Sequence, residues 1–229
     1  MKNKSPTILI TGAARGIGFA AAKQLTDRGA HVILTSRDPV RAEKAAAELG
    51  CESLCLDLTD QDSVNAAART IEERRGSLDV LVNNSAILLD HYSSLLDLSP
   101  DTLRQTLETN LIGTFRISLA MAPLLDRSPD ARLINVSSQA GQLNGAPQAF
   151  APAYSISKAS LNMLTQQLAT AMPRIVVNAM CPGWCRTEMG GQDATKSPEE
   201  GADTIVWLAL DAPRSLQCQF VNNREVIPW

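Results

Sequence analysis

Short apolar runs alternate along this chain with longer segments of helical periodicity, and this alternation constrains the fold more than any other feature. Short apolar runs bounded by turn residues are typical of buried strands, and an amphipathic segment between two of them is the usual crossover helix. The pattern predicts an α/β fold in which a doubly wound, mostly parallel sheet carries helices on both faces. We expect seven strands, at 7–11, 31–35, 53–56, 79–82, 131–136, 174–180 and 218–221.

The helical segments follow the strands one by one and begin with good capping residues. Ser99 and Pro100, for example, form an N-cap and first-turn pair. No linker of low complexity divides the 229 residues, so we expect one domain spanning 1–229. The predicted helices are 16–28, 38–49, 60–75, 100–110, 152–173 and 198–210.

Charge, histidine and cysteine content narrow the function classes. Lysine and arginine number 21 against 24 acidic residues, which argues against a nucleic-acid partner or an anionic membrane surface. The apolar run Ile8 to Ile10 is too short for a signal-peptide core or a membrane span, so we expect a cytoplasmic protein. Two histidines and five cysteines without a CxxC pair predict no metal site.

Residues 11–18, TGAARGIG, follow the first strand and open the first helix. Glycines in this context let the backbone approach a pyrophosphate at the positive end of a helix. The spacing G-x3-G-x-G departs from the general G-x-G-x-x-G pattern, and a tight turn that binds nothing is the alternative. The candidate cofactor-binding residues here are Gly12, Arg15, Gly16, Ile17 and Gly18.

The end of the second strand bears on which nicotinamide cofactor fits. An NAD-binding chain of this kind places a carboxylate there for the ribose 2′-hydroxyl, whereas this chain has Ser36 and Arg37. With Arg15, these residues suit a 2′-phosphate, because guanidinium groups bind phosphate oxygens through charge-assisted hydrogen bonds. We therefore predict NADPH over NADH; the alternative is that Arg37 is a solvated residue at a helix start.

Tyr154 and Lys158 are four residues apart in a predicted helix, which brings a phenol and an ammonium over the same patch of surface. A nearby cation stabilises phenolate, so we expect Lys158 to bring the pKa of Tyr154 down from about 10 towards neutral pH. Tyr154 could then protonate a carbonyl oxygen as hydride arrives. The alternative is an ordinary surface pair on an amphipathic helix.

Taken together, these motifs make the chain resemble the short-chain dehydrogenase/reductase family over essentially its whole length. The segments GWCRTEMGG, SPEEGADTIVWLAL and the final IPW are most similar to its NADPH-dependent carbonyl reductase branch. Asn83 and Asn84 match the family's NNAG segment, in which Ser85 and Ala86 replace the usual Ala and Gly. The resemblance implies a Rossmann-type fold and NADPH/NADP+ as cofactor.

The resemblance also implies a catalytic tetrad of Asn110, Ser138, Tyr154 and Lys158. In these roles Ser138 holds the substrate oxygen, Tyr154 is the acid/base, Lys158 binds the nicotinamide ribose, and Asn110 steadies a proton-relay water. Ser137 is the competing choice for the serine. Further cofactor contacts that the resemblance implies are Asp57, Leu58, Asn84, Pro182, Gly183 and Thr187.

The substrate is the least constrained part of the prediction. Apolar candidates for the pocket favour a hydrophobic ketone or aldehyde, reduced reversibly to the alcohol. A ketoacyl thioester, a quinone or a pterin could serve as substrate of the same tetrad, and a cofactor-sensing regulatory protein is the non-enzymatic alternative. Family resemblance implies a homodimer or homotetramer. The candidate pocket residues are Leu143, Phe150, Trp184 and Met189.

Overall fold

The computed structural model describes residues 5–144 and 151–229, and its centre is one eight-stranded sheet in the order β3-β2-β1-β4-β5-β6-β7-β8. Strands β1 to β7 run parallel, and β8 pairs antiparallel with β7. The strands are β1 Thr7–Ile10, β2 His31–Ser36, β3 Glu52–Cys55, β4 Val80–Asn83, β5 Arg132–Val136, β6 Val176–Cys181, β7 Phe220–Asn222 and β8 Glu225–Ile227.

Seven α-helices connect the strands in the described residues: α1 Gly16–Asp27, α2 Pro39–Leu49, α3 Gln61–Arg75, α4 Pro100–Leu107, α5 Thr114–Leu125, α6 Pro152–Ala171 and α7 Pro198–Leu210. A π-helical segment, Glu108–Gly113, joins α4 to α5 without a break. Short 3-10 helices lie at Leu95–Asp97 and Gln139–Gly141. None of the helices described in 5–144 and 151–229 is long and apolar enough to cross a membrane.

Alternating residues of each central strand feed two separate cores. In β1, Ile8 and Ile10 pack with α1, α2 and α7, whereas Leu9 packs on the other face with α3, α5 and α6. Successive side chains of a strand point to opposite faces, so a strand that is apolar throughout needs helices on both sides. The predicted fold class is confirmed.

Two details differ from the sequence prediction. The helix expected to end at Asn110 continues through the π-helical segment to Leu125, and Gly113 does not interrupt it. This glycine packs closely on Leu58: a Cβ at position 113 would lie 2.7 Å from the leucine Cβ. The sheet also has an eighth strand instead of the predicted seven. The β7–β8 hairpin turns at Asn223 and Arg224, both with positive φ, which the sequence does not signal with a glycine.

The order of the strands reverses beside β1, which lies between β2 and β4. In open α/β sheets, ligands bind at such a switch point, outside the carboxyl ends of the strands. This edge is where β1, β2, β4, β5 and β6 deliver the candidate site residues.

Candidate active site

The glycine loop turns from β1 into α1 with backbone angles that favour glycine. Gly12 and Gly16 have φ of 63° and 60°. Helix α1 has Arg15 at its N-cap, with no side-chain cap hydrogen bond and no acidic residue in its first turn, so within the described chain its terminal N–H groups lack a side-chain acceptor. Such a helix end binds anions, and the loop therefore fits the pyrophosphate of a dinucleotide.

The loop is held in place from the end of β4. Asn84 Nδ2 donates to the carbonyl oxygens of Thr11 and Gly12 at 2.9 and 3.0 Å, and Thr11 Oγ1 accepts the N–H groups of Asn84 and Ser85. Gly18 faces the same amide: a Cβ there would lie 2.5 Å from Asn84 Nδ2. Asn84 thus supports the loop, and the buried Thr11 is a partner that the motif alone did not single out.

At the adenosine end, Arg37 is exposed just beyond β2 and Ser36 is half-buried. Partial burial opposes ionisation of Asp57, but hydrogen bonds from Thr59 and the charge of Arg37 outweigh it and lower the pKa of this carboxyl. These residues lie at or just after the ends of β2 and β3, at the carboxyl edge of the sheet, and their contacts with a ribose and an adenine stay a prediction. Leu58 differs, since its side chain is buried against Gly113 and its carbonyl accepts from Arg116 at 3.2 Å.

Two cations near this end were missed at the sequence level. Arg41 and Lys44 of α2 line a cavity of about 360 Å³ together with Arg15. Their spacing of three residues places them on one face of α2, which is the signal that could have found them. Arg41 also pairs with Asp38, the N-cap of the same helix, at 3.2 Å.

The catalytic candidates lie on α6 and at the end of β5. Tyr154 is 9% exposed and Lys158 only 2%. Lys158 Nζ lies 5.5 Å from the centre of the Tyr154 ring and donates to the carbonyl oxygen of Val136 at 2.7 Å. The two side chains are therefore adjacent, as their spacing predicted, and neither is a surface residue.

The pKa of Tyr154 does not follow the expectation. Burial raises the pKa of this phenol above 10, and a hydrogen bond with Ser138 opposes the rise. Burial also lowers the pKa of Lys158 to about 8. In the protein without ligand, the removal of the phenol from water thus outweighs the hydrogen bond with Ser138, so the predicted fall in the tyrosine pKa is wrong for this state.

The two serines after β5 have different partners. Ser137 is buried, and its hydroxyl donates to Asn162 Oδ1 at 2.6 Å. Ser138 is half-buried and its hydroxyl is hydrogen-bonded to Tyr154. The geometry therefore brings Ser138, and not Ser137, to the phenol.

Asn110 lies in the π-helical segment and is fully buried. Its Oδ1 accepts the N–H of Ile87 at 2.8 Å, and its Nδ2 donates to the Ile87 carbonyl at 2.9 Å and to Ser157 Oγ at 3.0 Å. Both amide N–H groups are thus engaged with protein atoms. The side chain connects the segment after β4 to α6.

The segment after β6 lies opposite the glycine loop, and the space between these two segments is called the groove below. Pro182 and Gly183 follow the strand, and Thr187 faces the glycine loop so closely that a Cβ on Gly16 would lie 3.3 Å from Thr187 Cγ2. Arg15 forms an ion pair with Glu188, the next residue. The two loops therefore meet across the groove, and Arg15 is already paired.

Three of the four predicted substrate-pocket residues lie in the described part of the chain, and they differ in exposure. Trp184 is 52% exposed, and its indole N–H donates to the carbonyl oxygen of Gly190, which leaves the ring faces apolar. Met189 is half-buried, and its carbonyl is hydrogen-bonded to His91. Leu143 is almost fully exposed. Phe150 lies outside the described residues.

Comparison with known proteins gives a consistent result. A model of the short chain dehydrogenase family matches residues 6–198. A short-chain dehydrogenase of Penicillium roqueforti, anuI, is 34% identical over 97% of this chain and 96% of its own. Carbonyl reductase (NADPH) 1 of Mus musculus is 32% identical and covers 100% of both chains.

Solved structures are similar over the same extent. The NADPH-bound carbonyl reductase from chicken fatty liver has a TM-score of 0.89 at 27% identity, covering 99% of this chain and 95% of that one. Salutaridine reductase from Papaver somniferum has a TM-score of 0.82 at 27% identity, covering 94% of this chain and 99% of its own.

Proposed function

Because the chain belongs to the short-chain dehydrogenase family, we propose that it is an NADPH-dependent reductase of ketones or aldehydes with Tyr154 as its general acid. Family membership and the similarity to carbonyl reductases confirm the family and branch predicted from the motifs. One observation carries the mechanistic proposal: the phenol of Tyr154, the hydroxyl of Ser138 and the ammonium of Lys158 converge beside the groove that begins at the glycine loop.

Three side chains share the proton chemistry. The raised pKa keeps Tyr154 protonated at neutral pH, so its phenol donates a proton to the carbonyl oxygen of the substrate. Ser138 holds that oxygen and stabilises the phenolate left on Tyr154. With a pKa of about 8, Lys158 is mostly an ammonium at neutral pH, and its charge also stabilises the phenolate.

NADPH, when bound, supplies the hydride that adds to the carbonyl carbon. The open N–H groups of α1 suit its pyrophosphate, and Thr187 and Gly183 on the opposite wall suit the nicotinamide end. Arg37, together with Arg15, offers guanidinium groups for the 2′-phosphate. Arg41, which lines a cavity together with Arg15, adds a further cation.

The substrate we propose is an apolar ketone or aldehyde. Trp184 presents exposed ring faces whose only polar group is already hydrogen-bonded, and such a surface binds apolar groups well. Relatives named carbonyl reductases support the same class.

We further propose one domain that pairs with a second copy of itself. Five apolar side chains, 39 to 54% accessible, are exposed at helical spacings on the π-helical segment, α5 and α6: Ile112, Phe115, Leu119, Ile156 and Met163. Exposed apolar side chains at such spacings favour a protein interface. Light scattering during size-exclusion chromatography tests this, and a mass of 24.6 kDa would contradict it.

The activity is tested with purified protein, NADPH and a panel of aromatic and aliphatic ketones and aldehydes. We expect NADPH oxidation that depends on the carbonyl compound, with stoichiometric formation of the alcohol, and slower turnover with NADH. A protein that binds NADPH but reduces no member of the panel would favour the cofactor-sensing alternative.

A further inference from the structure

The helix that carries Tyr154 begins without a cap of its own. α6 starts at Pro152, which has no N–H, and the preceding residue, Ala151, has no polar side chain. The first N–H groups of a helix have no acceptor within the helix and need one elsewhere. Ala153 is the first residue of α6 with an N–H to satisfy, and it directly precedes Tyr154.

Asp90, from the loop after β4, supplies the acceptor. Its Oδ2 accepts the N–H of Ala153 at 2.6 Å across 63 residues of sequence, and the residue is 2% exposed. The positive end of the helix stabilises the carboxylate. The second oxygen, Oδ1, has no hydrogen-bond partner within the described residues.

Within the described residues, a buried carboxylate with one unpartnered oxygen is an expensive way to cap a helix, because burial costs a charged group more than a neutral one. Stability alone therefore does not account for it. The feature that distinguishes this helix end is that its next residue is the catalytic tyrosine.

The backbone carbonyl oxygen of Tyr154 is also hydrogen-bonded. Ser157 Oγ donates to the Tyr154 carbonyl oxygen at 2.7 Å and accepts from Asn110 Nδ2. Asn110 in turn fixes Ile87, three residues before Asp90. The loop after β4 is thus attached to the first turn of α6 on both sides of the tyrosine.

We propose that Asp90 is a positioning residue, which orients the first turn of α6 through Ala153 so that the Tyr154 phenol meets Ser138 and the substrate oxygen. The proposal rests on the proposed function, in which Tyr154 is the proton donor. Displacing a reacting group by about 1 Å costs on the order of 100-fold in rate, so loss of this contact should reduce turnover far more than cofactor binding.

Asp90→Ala and Asp90→Asn test the hydrogen bond. We expect Asp90→Ala to lower kcat about 10- to 100-fold while the Kd for NADPH, measured by fluorescence, changes less than twofold. Asp90→Asn keeps an oxygen acceptor for Ala153 and should recover kcat to within about threefold of the original protein. Asp60→Ala is the matched control, because Asp60 caps α3 by accepting from Asp62 and lies on a helix without a catalytic residue.

Three outcomes would overturn the proposal: Asp90→Ala within twofold of the original kcat, Asp90→Asn as slow as Asp90→Ala, or an equal loss in Asp60→Ala. If Asp90→Ala does not fold, Asp90→Ser is used with the same expectation, since its hydroxyl is too short to reach Ala153. Hydrogen–deuterium exchange of the peptide that begins α6 gives a reading independent of turnover. Faster exchange in Asp90→Ala but not in Asp90→Asn supports the positioning role even if no carbonyl substrate is reduced, and unchanged exchange contradicts it.

Discussion

The two ends of the groove differ in burial. The phosphate end consists of Arg15, Ser36 and Arg37, whose side chains are largely exposed to solvent. The catalytic end consists of Ser138, Tyr154 and Lys158, whose side chains are mostly buried. Exposed charges interact weakly with the rest of the protein and are free to meet a ligand. Buried groups have shifted pKa values and fixed partners. Substitutions at the first end should therefore alter cofactor preference alone, whereas substitutions at the second should alter turnover or stability.

The largest expected effect separates the two serines of the catalytic end. Ser138→Ala should lower kcat about 100- to 1,000-fold, because Tyr154 and the substrate oxygen lose their hydroxyl partner. Ser137→Ala should retain kcat but lose about 1–3 kcal/mol of stability, since Asn162 Oδ1 is left without its donor. Steady-state kinetics and urea unfolding of both variants are the measurements. The reverse pattern would show that Ser137 is the catalytic serine.

At the phosphate end, Arg37→Asp should shift the ratio of kcat/KM for NADPH over NADH by about 10- to 100-fold towards NADH, because a carboxylate repels the 2′-phosphate. Unfolding should be unchanged, as the residue is exposed. Arg69→Asp makes the same charge change on the exposed surface of α3 and serves as the control. If both variants change the ratio of kcat/KM equally, the change in net charge and not a contact of Arg37 with the 2′-phosphate explains the effect.

The pH dependence of stability probes the buried ammonium. Burial lowers the pKa of Lys158 to about 8, so between pH 8 and 10.5 the unfolded chain binds more protons at this residue than the folded protein. The free energy of unfolding of the ligand-free protein should rise with pH in that window, by at most about 1.4 kcal/mol per pH unit, relative to Lys158→Met. Parallel curves for the two proteins would mean that Lys158 is not destabilised by burial.

We expect the smallest effect from the ion pair between Arg15 and Glu188, which joins the two walls of the groove. Glu188→Gln releases Arg15 from an ion pair between exposed side chains, which contributes on the order of 0–1 kcal/mol. Arg15 is then free for the 2′-phosphate, so the Kd for NADPH should fall by up to about fivefold, less at high salt, with little change for NADH. Weaker NADPH binding would mean that the pair instead helps to hold the cofactor.

Local sequence motifs predicted many of the residues that line the groove. The glycine loop and the Tyr154–Lys158 pair are contiguous or one helical turn apart, so the backbone alone brings their residues together. Contacts between distant segments could not be read in this way. Asp90 meets Ala153 across 63 residues, and Glu188 meets Arg15 from the other wall.

The predicted direction of the Tyr154 pKa shift was wrong for a related reason. Sequence spacing gives the distance to Lys158, but the degree of burial depends on how β5, β6 and α6 pack around the phenol. Similarly, the sequence pattern ended the predicted helix at Asn110 and did not show the close contact of Gly113 with Leu58 in the continuous helix.

In the proposed reaction the buried phenol of Tyr154 donates the proton, while other residues of the groove hold the cofactor. Tyr154→Phe removes one oxygen from that site, and kcat for carbonyl reduction should be measured beside the Kd for NADPH on the same preparation. We expect a loss of at least about 100-fold in kcat, with NADPH affinity unchanged within about threefold. Turnover within a few-fold of the original protein would contradict it.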